Sequence, residues 1–286
     1  MQLLLKYSLF EPFGIDITLN DFGFSLLVIA SLCIAAGGNI INDIYDLKID
    51  RINKPEKVII GKKISEKTAN TYYIILNVIG VILGFYLSNI IGRPGFAALF
   101  IIISALLFLN ASYLKSMLLV GNILVSALVA LSIIIVGLFD LLPAITKTNL
   151  VTQSTIFSIL LDYALFAFFL NFIREIVKDM QDINGDKNSR RNTLPIAIGR
   201  KRTSRIVFAL GIIAILGIFF YVYTYLYDKT SVVLYFLFLI IAPLLYFCVK
   251  CFNAETKKEY GLLSTLLKII MFFGMCSILL YPFVIL

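Results

Sequence analysis

Two groups of acidic side chains stand out because each begins at the end of a long apolar segment. The first lies in NDIYDLKIDRINKP, from Asn42 to Pro55, and the second lies in REIVKDMQDINGD, from Arg174 to Asp186. Carboxylates are costly beside the interior of a bilayer and repel one another, so they usually mark a cation site or an ion pathway there. These two segments therefore predict a cation-dependent site.

The spacing of the acidic residues places each group along one face of a helix. Asn42, Asp46 and Asp50 recur every four residues, which gives a stripe that drifts by about 40° per step. The second group is spaced by four, three and four residues and comprises Glu175, Asp179, Asp182 and Asp186. Gly185 is expected to end the helix before Asp186. We expect the two stripes to face each other at exposed helix ends.

Two acidic stripes with Lys and Arg close by describe a site for a magnesium diphosphate. Neighbouring carboxylates raise one another's pKa unless cations intervene. Mg²⁺ is commonly bound by one or two carboxylates while phosphate oxygens complete its octahedron. The alternative, ordinary solvated loops, gives no reason for the spacing to recur at two membrane interfaces. For Asp43 and Glu175 alone, a supporting or helix-capping role stays open.

The rest of the chain indicates a membrane protein. Of its 286 residues 60% are hydrophobic and 15% charged, which is outside the range of soluble globular proteins. Apolar segments of roughly 20 residues, the length that spans a bilayer, lie at 22–42, 68–91, 95–113, 118–139, 155–176, 204–227, 231–251 and 261–285. The opening stretch, Met1 to Phe10, lacks the layout of a signal peptide and reads as the second half of a further helix. We expect an all-α polytopic membrane protein with about nine transmembrane helices, the first shortened, in one domain over residues 1–286.

The basic residues predict how the chain is oriented in the membrane. Twenty of the 25 Lys and Arg residues lie in four alternate loops, and such residues accumulate on the cytoplasmic side. Both acidic groups are therefore expected at the cytoplasmic face of the cell membrane. This asymmetry and contact with anionic lipids account for the net charge of +8. We expect membrane lipids as neighbours, no nucleic-acid partner and no obligate protein partner.

The cysteines predict packing rather than metal or redox chemistry. They lie in or beside apolar segments, at Cys33, Cys248, Cys251 and Cys276. Cys248 and Cys251 form one C-x-x-C pair, but there is no second pair and no histidine. Such cysteines usually serve as small apolar residues.

The two acidic segments resemble the paired motifs of a known family. NDIYDLKIDRINKP is similar to the first Asp-rich motif, N-x-x-x-D-x-x-x-D, of the UbiA superfamily of intramembrane prenyltransferases, and DMQDINGD is similar to the second, D-x-x-D-x-x-x-D. The resemblance extends to SYLKSMLLVGN and NTLPIAIG and covers nearly the whole chain. REIVKD with NTLP most resembles the branch that makes digeranylgeranylglyceryl phosphate. Two positions depart from the pattern: Asn110 stands where relatives often carry an aromatic residue, and Gln181 where the branch is often acidic.

The resemblance implies a UbiA-like bundle with two Mg²⁺ sites. One Mg²⁺ would be bound by Asn42, Asp46 and Asp50, and the other by Asp179, Asp182 and Asp186. Among these, the catalytic residues would be Asp46, Asp50, Asp182 and Asp186. Lys115 would contact the diphosphate, and Arg174 and Lys178 are phosphate candidates because charge-assisted contacts to phosphate are strong. Candidates for the phosphate of the acceptor are Arg51, Lys54, Arg190 and Arg191.

The implied activity is Mg²⁺-dependent transfer of a geranylgeranyl or similar prenyl group from its diphosphate to geranylgeranylglyceryl phosphate, giving an ether-lipid precursor. Mg²⁺ and basic side chains would neutralise the departing diphosphate, so that the allylic carbon–oxygen bond ionises. Tyr45 and Tyr113 are candidates for stabilising the cation. An aromatic acceptor, as in quinone biosynthesis, is an enzyme alternative. An ion-coupled transporter would explain the acidity, but not its pairing with basic residues.

Overall fold

The computed structural model describes residues 1–189 and 191–282, and its regular structure is helical throughout these ranges apart from one isolated bridge between Ile60 and Ile64. The helices are α1 (Gln2–Leu5), α2 (Asp21–Asn53), α3 (Glu66–Ile90), α4 (Ala97–Ser112), α5 (Val120–Val136), α6 (Leu150–Asn188), α7 (Leu194–Ile198), α8 (Arg200–Tyr225), α9 (Thr230–Phe236), α10 (Ala242–Asn253) and α11 (Lys257–Cys276). A π-helical turn, Lys6–Phe10, continues α1.

Eight helical segments in the described ranges are long and apolar enough to cross a membrane. They are Asp21–Asn53, Glu66–Ile90, Pro94–Ser112, Val120–Ala144, Leu150–Asn188, Arg200–Tyr225, Thr230–Asn253 and Lys257–Leu280. Each coincides with a predicted crossing, so the prediction of an all-α polytopic membrane protein is confirmed.

The two helices that carry the acidic groups are much longer than a bilayer requires. α2 has 33 residues and α6 has 39, which at 1.5 Å per residue gives about 50 and 58 Å against a hydrocarbon core of about 30 Å. Asn20 caps the start of α2 by accepting a hydrogen bond from Gly23 N at 2.9 Å. α2 ends at Asn53, and Lys54 between it and Pro55 is not helical, as expected before a proline. The surplus length lets both acidic groups continue as helix beyond the apolar segments.

The prediction that Gly185 ends its helix is wrong. α6 continues through Asp186 to Asn188. Glycine lowers the stability of a helix interior by only about 1 kcal/mol relative to alanine, and a tertiary contact at Gly185 outweighs that cost. The contact is a hydrogen bond of 3.1 Å from Gly185 N to Asn53 Oδ1.

The chain divides into two compact units, and α6 runs through both. One unit comprises Asp16–Leu160 and Asn184–Asn192, and in it α2 packs against α3 and α4. Glycines let these helices approach closely, because a Cβ on Gly80 would lie 3.1 Å from the carbonyl oxygen of Ala30, and one on Gly38 would lie 2.9 Å from Leu107. Close packing of this kind fixes the position of α2, which carries the first acidic group.

A buried carboxylate secures the segment that leads into α2. Asp140, in the π-helical turn Gly137–Leu141 that follows α5, accepts hydrogen bonds from Thr18 N at 3.1 Å and from Leu19 N at 2.8 Å. A buried carboxylate is tolerated when backbone donors satisfy it. The start of α2 is thereby attached to the end of α5.

The other unit comprises Met1–Ile15, Leu161–Ile183 and Thr193–Leu286. Within it α8 packs against α10, with Cys248 directly against Gly211, and Ser204 Oγ donates to the Cys251 carbonyl oxygen at 2.5 Å. Both cysteines are buried and their thiols are free. The predicted packing role of the C-x-x-C pair is confirmed.

Candidate active site

Asp46 is the centre of a polar cluster in the unit that contains α2. Its carboxylate forms ion pairs with Lys115 Nζ and with Arg191 Nη2. Asn42, one helical turn earlier, donates from Nδ2 to Asp46 Oδ2 at 3.0 Å and accepts from Lys115 Nζ at 3.0 Å. Asp46 is only 5% exposed. The expectation of acidic residues at exposed helix ends is therefore wrong for Asp46, because two cations offset the cost of burying its charge.

Arg191 joins the two acidic groups. While Nη2 contacts Asp46, Nη1 lies 3.4 Å from Asp186 Oδ1, and the backbone N of Arg191 donates to the Asp186 carbonyl oxygen at 3.0 Å. Asp186 is buried as well. A guanidinium is planar and can engage two carboxylates at once. The structure thus brings together five residues that were predicted for different parts of the site. They are Asn42, Asp46, Lys115, Asp186 and Arg191.

Lys115 reaches Asp46 because the chain turns sharply between α4 and α5. It lies in the 3₁₀ turn Leu114–Ser116, and α5 begins after Leu119, which has a left-handed φ of 60°. A Cβ on Gly121 would lie 2.8 Å from Lys115 Cα, so the turn is tight enough to require glycine there. Asn192 N donates to the Ser116 carbonyl oxygen at 3.1 Å. This bond fastens the turn that carries Lys115 to the segment that carries Arg191.

Asn110, one of the departures from the family pattern, lies beside this turn. It is buried near the end of α4, and its Oδ1 is enclosed without a hydrogen bond. The same oxygen lies 3.1 Å from the position that a Cβ on Gly121 would take. A polar side chain therefore occupies a closely packed position next to the Lys115 backbone.

The other unit holds a second charged cluster, on α6. Glu175 forms ion pairs of 2.9 Å with both Arg174 Nη1 and Lys178 Nζ. These two bases are the predicted phosphate candidates of this segment, and Glu175 positions them. The helix-capping alternative for Glu175 and Asp43 is wrong, because both lie in helix interiors.

The remaining predicted acidic residues lie on the two helices that carry the stripes, α2 and α6. Asp50 on α2, and Asp179 and Asp182 on α6, are each partly buried. Gln181 packs beside Gly261, because a Cβ on Gly261 would lie 2.9 Å from the Nε2 of Gln181.

The candidates for the acceptor phosphate divide into different environments. Arg51 is exposed, with its guanidinium 3.4 Å from the Cβ position of Gly61 in the following loop, and Lys54 is partly buried. Arg191 is in the Asp46 cluster, and Arg190 lies outside the described residues.

The two tyrosines proposed as cation stabilisers are both exposed, and Tyr45 also contacts other aromatic rings. Tyr45 packs edge-on against Phe108 at a centroid distance of 6.0 Å, and Phe108 stacks with Tyr73 at 6.5 Å. Tyr113 is exposed. Tyr45 thus belongs to an aromatic cluster formed by α2, α3 and α4.

The donor chemistry of the Asp46 cluster fits Mg²⁺. Carboxylate and amide oxygens are hard ligands of the kind that Mg²⁺ prefers, and here Asn42 and Asp46 supply them one helical turn apart. No three acidic or cysteine side chains of the described ranges are grouped closely enough to enclose an ion by themselves. The predicted three-carboxylate set Asp179, Asp182 and Asp186 is therefore not brought together as an ion-binding group in the described ranges. A Mg²⁺ ion bound by one or two protein ligands would take its other oxygens from water or phosphate.

Comparison with known proteins identifies the family. Residues 14–283 match the UbiA prenyltransferase family. The chain is 33% identical over 256 residues to digeranylgeranylglyceryl phosphate synthase of Methanosphaera stadtmanae, covering 88% of this chain and 86% of that protein. It is also 33% identical over 252 residues to the synthase of the same name from Korarchaeum cryptofilum, covering 86% and 81%.

Solved structures share the fold. A structure described as digeranylgeranylglyceryl phosphate synthase in membranes matches with a TM-score of 0.65 at 22% identity, covering 98% of this chain and 91% of that one. A UbiA homolog from Archaeoglobus fulgidus bound to DMAPP and Mg²⁺ matches with a TM-score of 0.57 at 16% identity, covering 97% and 94%. The predicted resemblance and the prenyltransferase class are confirmed: the chain belongs to the UbiA prenyltransferase family and is a multi-pass integral membrane protein.

Proposed function

We propose that this chain transfers a geranylgeranyl group from its diphosphate to geranylgeranylglyceryl phosphate, giving an ether-lipid precursor. Support for the acceptor comes from relatives named digeranylgeranylglyceryl phosphate synthase at 33% identity over most of the chain. We place the active site at the cytoplasmic face of the cell membrane and treat residues 1–286 as one transferase domain. The observation that carries the proposal is the clustering of Lys115 and Arg191 on Asp46.

In this proposal the acidic groups would hold two Mg²⁺ ions, which would supply positive charge to the diphosphate. The first group would use Asn42, Asp46 and Asp50, and the second Asp179, Asp182 and Asp186. When bound, Mg²⁺ would neutralise the negative charge that grows on the departing diphosphate. The acidic side chains of the two groups lie on two long helices, α2 and α6.

We propose that Lys115 binds the diphosphate oxygens, as predicted, and that Arg191 does so too, in place of its predicted role at the acceptor phosphate, because it lies in the Asp46 cluster. Lys115 carries a compact ammonium on a flexible stem, whereas Arg191 presents a planar guanidinium with several donors. Both already make charge-assisted contacts with the oxygens of Asp46, and phosphate oxygens are acceptors of the same kind. Arg174 and Lys178, positioned by Glu175, supply further positive charge along α6.

Prenyl transfer follows from this arrangement of charge. The allylic carbon–oxygen bond breaks, its electron pair stays on the diphosphate, and the positive charge stays on the allylic carbon. The glycerol hydroxyl of the acceptor then forms a new carbon–oxygen bond and gives up its proton. The chain has no histidine, so a carboxylate of the acidic groups or the diphosphate itself takes that proton.

The test offers two acceptors in parallel to membranes that carry this chain. Radiolabelled geranylgeranyl diphosphate and Mg²⁺ are supplied with either geranylgeranylglyceryl phosphate or an aromatic acid, and lipid products are separated. Labelled diether from the first acceptor alone is the expected result. Label in the aromatic acid alone would keep the prenyltransferase class and overturn the acceptor, and ion flux without transfer would favour a transporter. Membranes carrying Asp46→Asn serve as the matched control.

A further inference from the structure

We infer that the contact between Asn53 and Gly185 is a positioning device that sets the position of Asp186, the last residue of the second acidic group, relative to the first acidic group on α2. The inference rests on one part of the proposed function, namely that the two acidic groups form the site for the diphosphate and its metal ions. Asn53 and Gly185 are positioning residues, because neither belongs to the predicted ligand sets.

The contact joins the ends of the two long helices. Asn53 is the last residue of α2, and Gly185 lies in the last turn and a half of α6. Gly185 N donates to Asn53 Oδ1 at 3.1 Å, and Asn53 is only 6% exposed. A side-chain acceptor on a helical N–H adds a directional contact that ties one helix to a fixed height along the other.

Glycine is required at this position because the asparagine amide fills the space that a side chain would need. A Cβ on Gly185 would lie 2.7 Å from Asn53 Cγ and 2.9 Å from Asn53 Oδ1. Real side chains do not approach so closely, so any larger residue must push α2 and α6 apart or turn the amide away. The two residues therefore form a matched pair.

The contact lies immediately beside the acidic side chains that it positions. Asp50 is three residues before Asn53 on α2, and Asp186 directly follows Gly185 on α6. Arg191 ties the same two helices together about two helical turns earlier on α2, through Asp46 and Asp186. Asp186 is therefore held between two fixed points, and a shift at Gly185 is transmitted directly to it.

A double-mutant cycle separates positioning from simple stability. The variants are Gly185→Ala, Asn53→Ala and the two combined, in the full chain purified in detergent. The probe is Mn²⁺ with inorganic diphosphate, and the readout is the Mn²⁺ dissociation constant by electron paramagnetic resonance. Thermal unfolding is measured in parallel. Gly211→Ala is the matched control, because its Cβ would clash with Cys248 on helices without the acidic groups.

Gly185→Ala is expected to weaken Mn²⁺ binding by about tenfold, the scale on which groups that orient metal ligands act. Asn53→Ala removes the amide that a Cβ on residue 185 would meet. The combined variant should therefore bind Mn²⁺ no more weakly than Asn53→Ala alone. Gly211→Ala should lower the unfolding temperature and leave Mn²⁺ binding unchanged.

Wild-type Mn²⁺ affinity in both Gly185→Ala and Asn53→Ala would overturn the inference, as would losses that simply add in the combined variant. If Gly185→Ala does not fold, a wild-type Mn²⁺ affinity in Asn53→Ala would by itself overturn the inference. Because the probe contains neither a prenyl group nor an acceptor, the outcome does not depend on which acceptor the enzyme uses. Failure of the acceptor assignment is therefore distinguishable from failure of this inference.

Discussion

Lys115 forms an ion pair with Asp46 across 69 residues of sequence, from the turn after α4 to the third-last helical turn of α2. The pair combines one of the predicted metal ligands with the predicted diphosphate contact. It shows how the chain stabilises this acidic cluster: the buried carboxylates of Asp46 and Asp186 are matched by bases that can also bind phosphate.

The role of Lys115 can be tested by replacing it with methionine, which keeps the length of the side chain and removes its charge. We expect the initial rate of prenyl transfer to fall about a hundredfold or more, the usual effect of losing one donor that stabilises developing charge. Lys62→Met is the matched control, because Lys62 is exposed and its Nζ donates to the Pro55 carbonyl oxygen. Equal rates in the two variants would remove Lys115 from the site.

Asp46→Asn should destabilise the protein as well as inactivate it. Removing the carboxylate charge takes the Asp46 counter-charge from Lys115 and leaves Arg191 paired with Asp186 alone. Loss of one partner of a buried pair costs about 3–5 kcal/mol, and the partial exposure of Lys115 reduces that figure. The measurement is the thermal unfolding temperature in detergent, with exposed Asp43→Asn as the control. An unchanged unfolding temperature for Asp46→Asn would contradict the cluster.

Arg191→Lys should not be a conservative change. A lysine has no planar fork and cannot contact Asp46 and Asp186 in the way that Nη1 and Nη2 of Arg191 do. We expect the transfer rate to fall by roughly tenfold or more, since a lysine cannot make both of the charge-assisted contacts by which the guanidinium bridges two carboxylates. Arg51→Lys, at an exposed position, should keep the wild-type rate. A reduced transfer rate in Arg51→Lys together with a wild-type rate in Arg191→Lys would assign the phosphate role to Arg51.

Asn110→Leu should raise the unfolding temperature. The substitution is close to isosteric and removes a buried oxygen that has no hydrogen bond, a group whose burial costs about 1–3 kcal/mol. Asn77→Leu is the comparison, because Asn77 Oδ1 accepts from Ser104 Oγ at 2.5 Å and its Nδ2 donates to the Tyr73 carbonyl oxygen at 2.8 Å. That variant should be destabilised. A lower unfolding temperature for Asn110→Leu would show that its oxygen is satisfied in solution.

Helical spacing was sufficient to predict that Asn42 and Asp46 share a face of α2. Asn42 and Asp46 lie one turn apart and are hydrogen-bonded to each other, as a four-residue spacing requires. The apolar segments likewise predicted all eight long helices, because the length of a bilayer crossing is a strong constraint.

Spacing could not predict the features that depend on distant parts of the chain. The burial of Asp46 follows from Lys115 and Arg191, which arrive from different segments. Nothing in the local sequence distinguishes Arg191 from the other bases of its loop. The continuation of α6 past Gly185 similarly depends on Asn53, 132 residues earlier. Local propensity favours an end at glycine, and the tertiary contact overrides it.

The most direct test of the proposed site is binding of the donor without chemistry. A non-ionisable analogue of geranylgeranyl diphosphate, radiolabelled and titrated against the purified wild-type protein, should bind only when Mg²⁺ is present. Asp46→Asn should lose this Mg²⁺-dependent binding, whereas the exposed-site variant Asp43→Asn should retain it. Equal binding with and without Mg²⁺, or full Mg²⁺-dependent binding by Asp46→Asn, would contradict the assignment of this cluster as the diphosphate site.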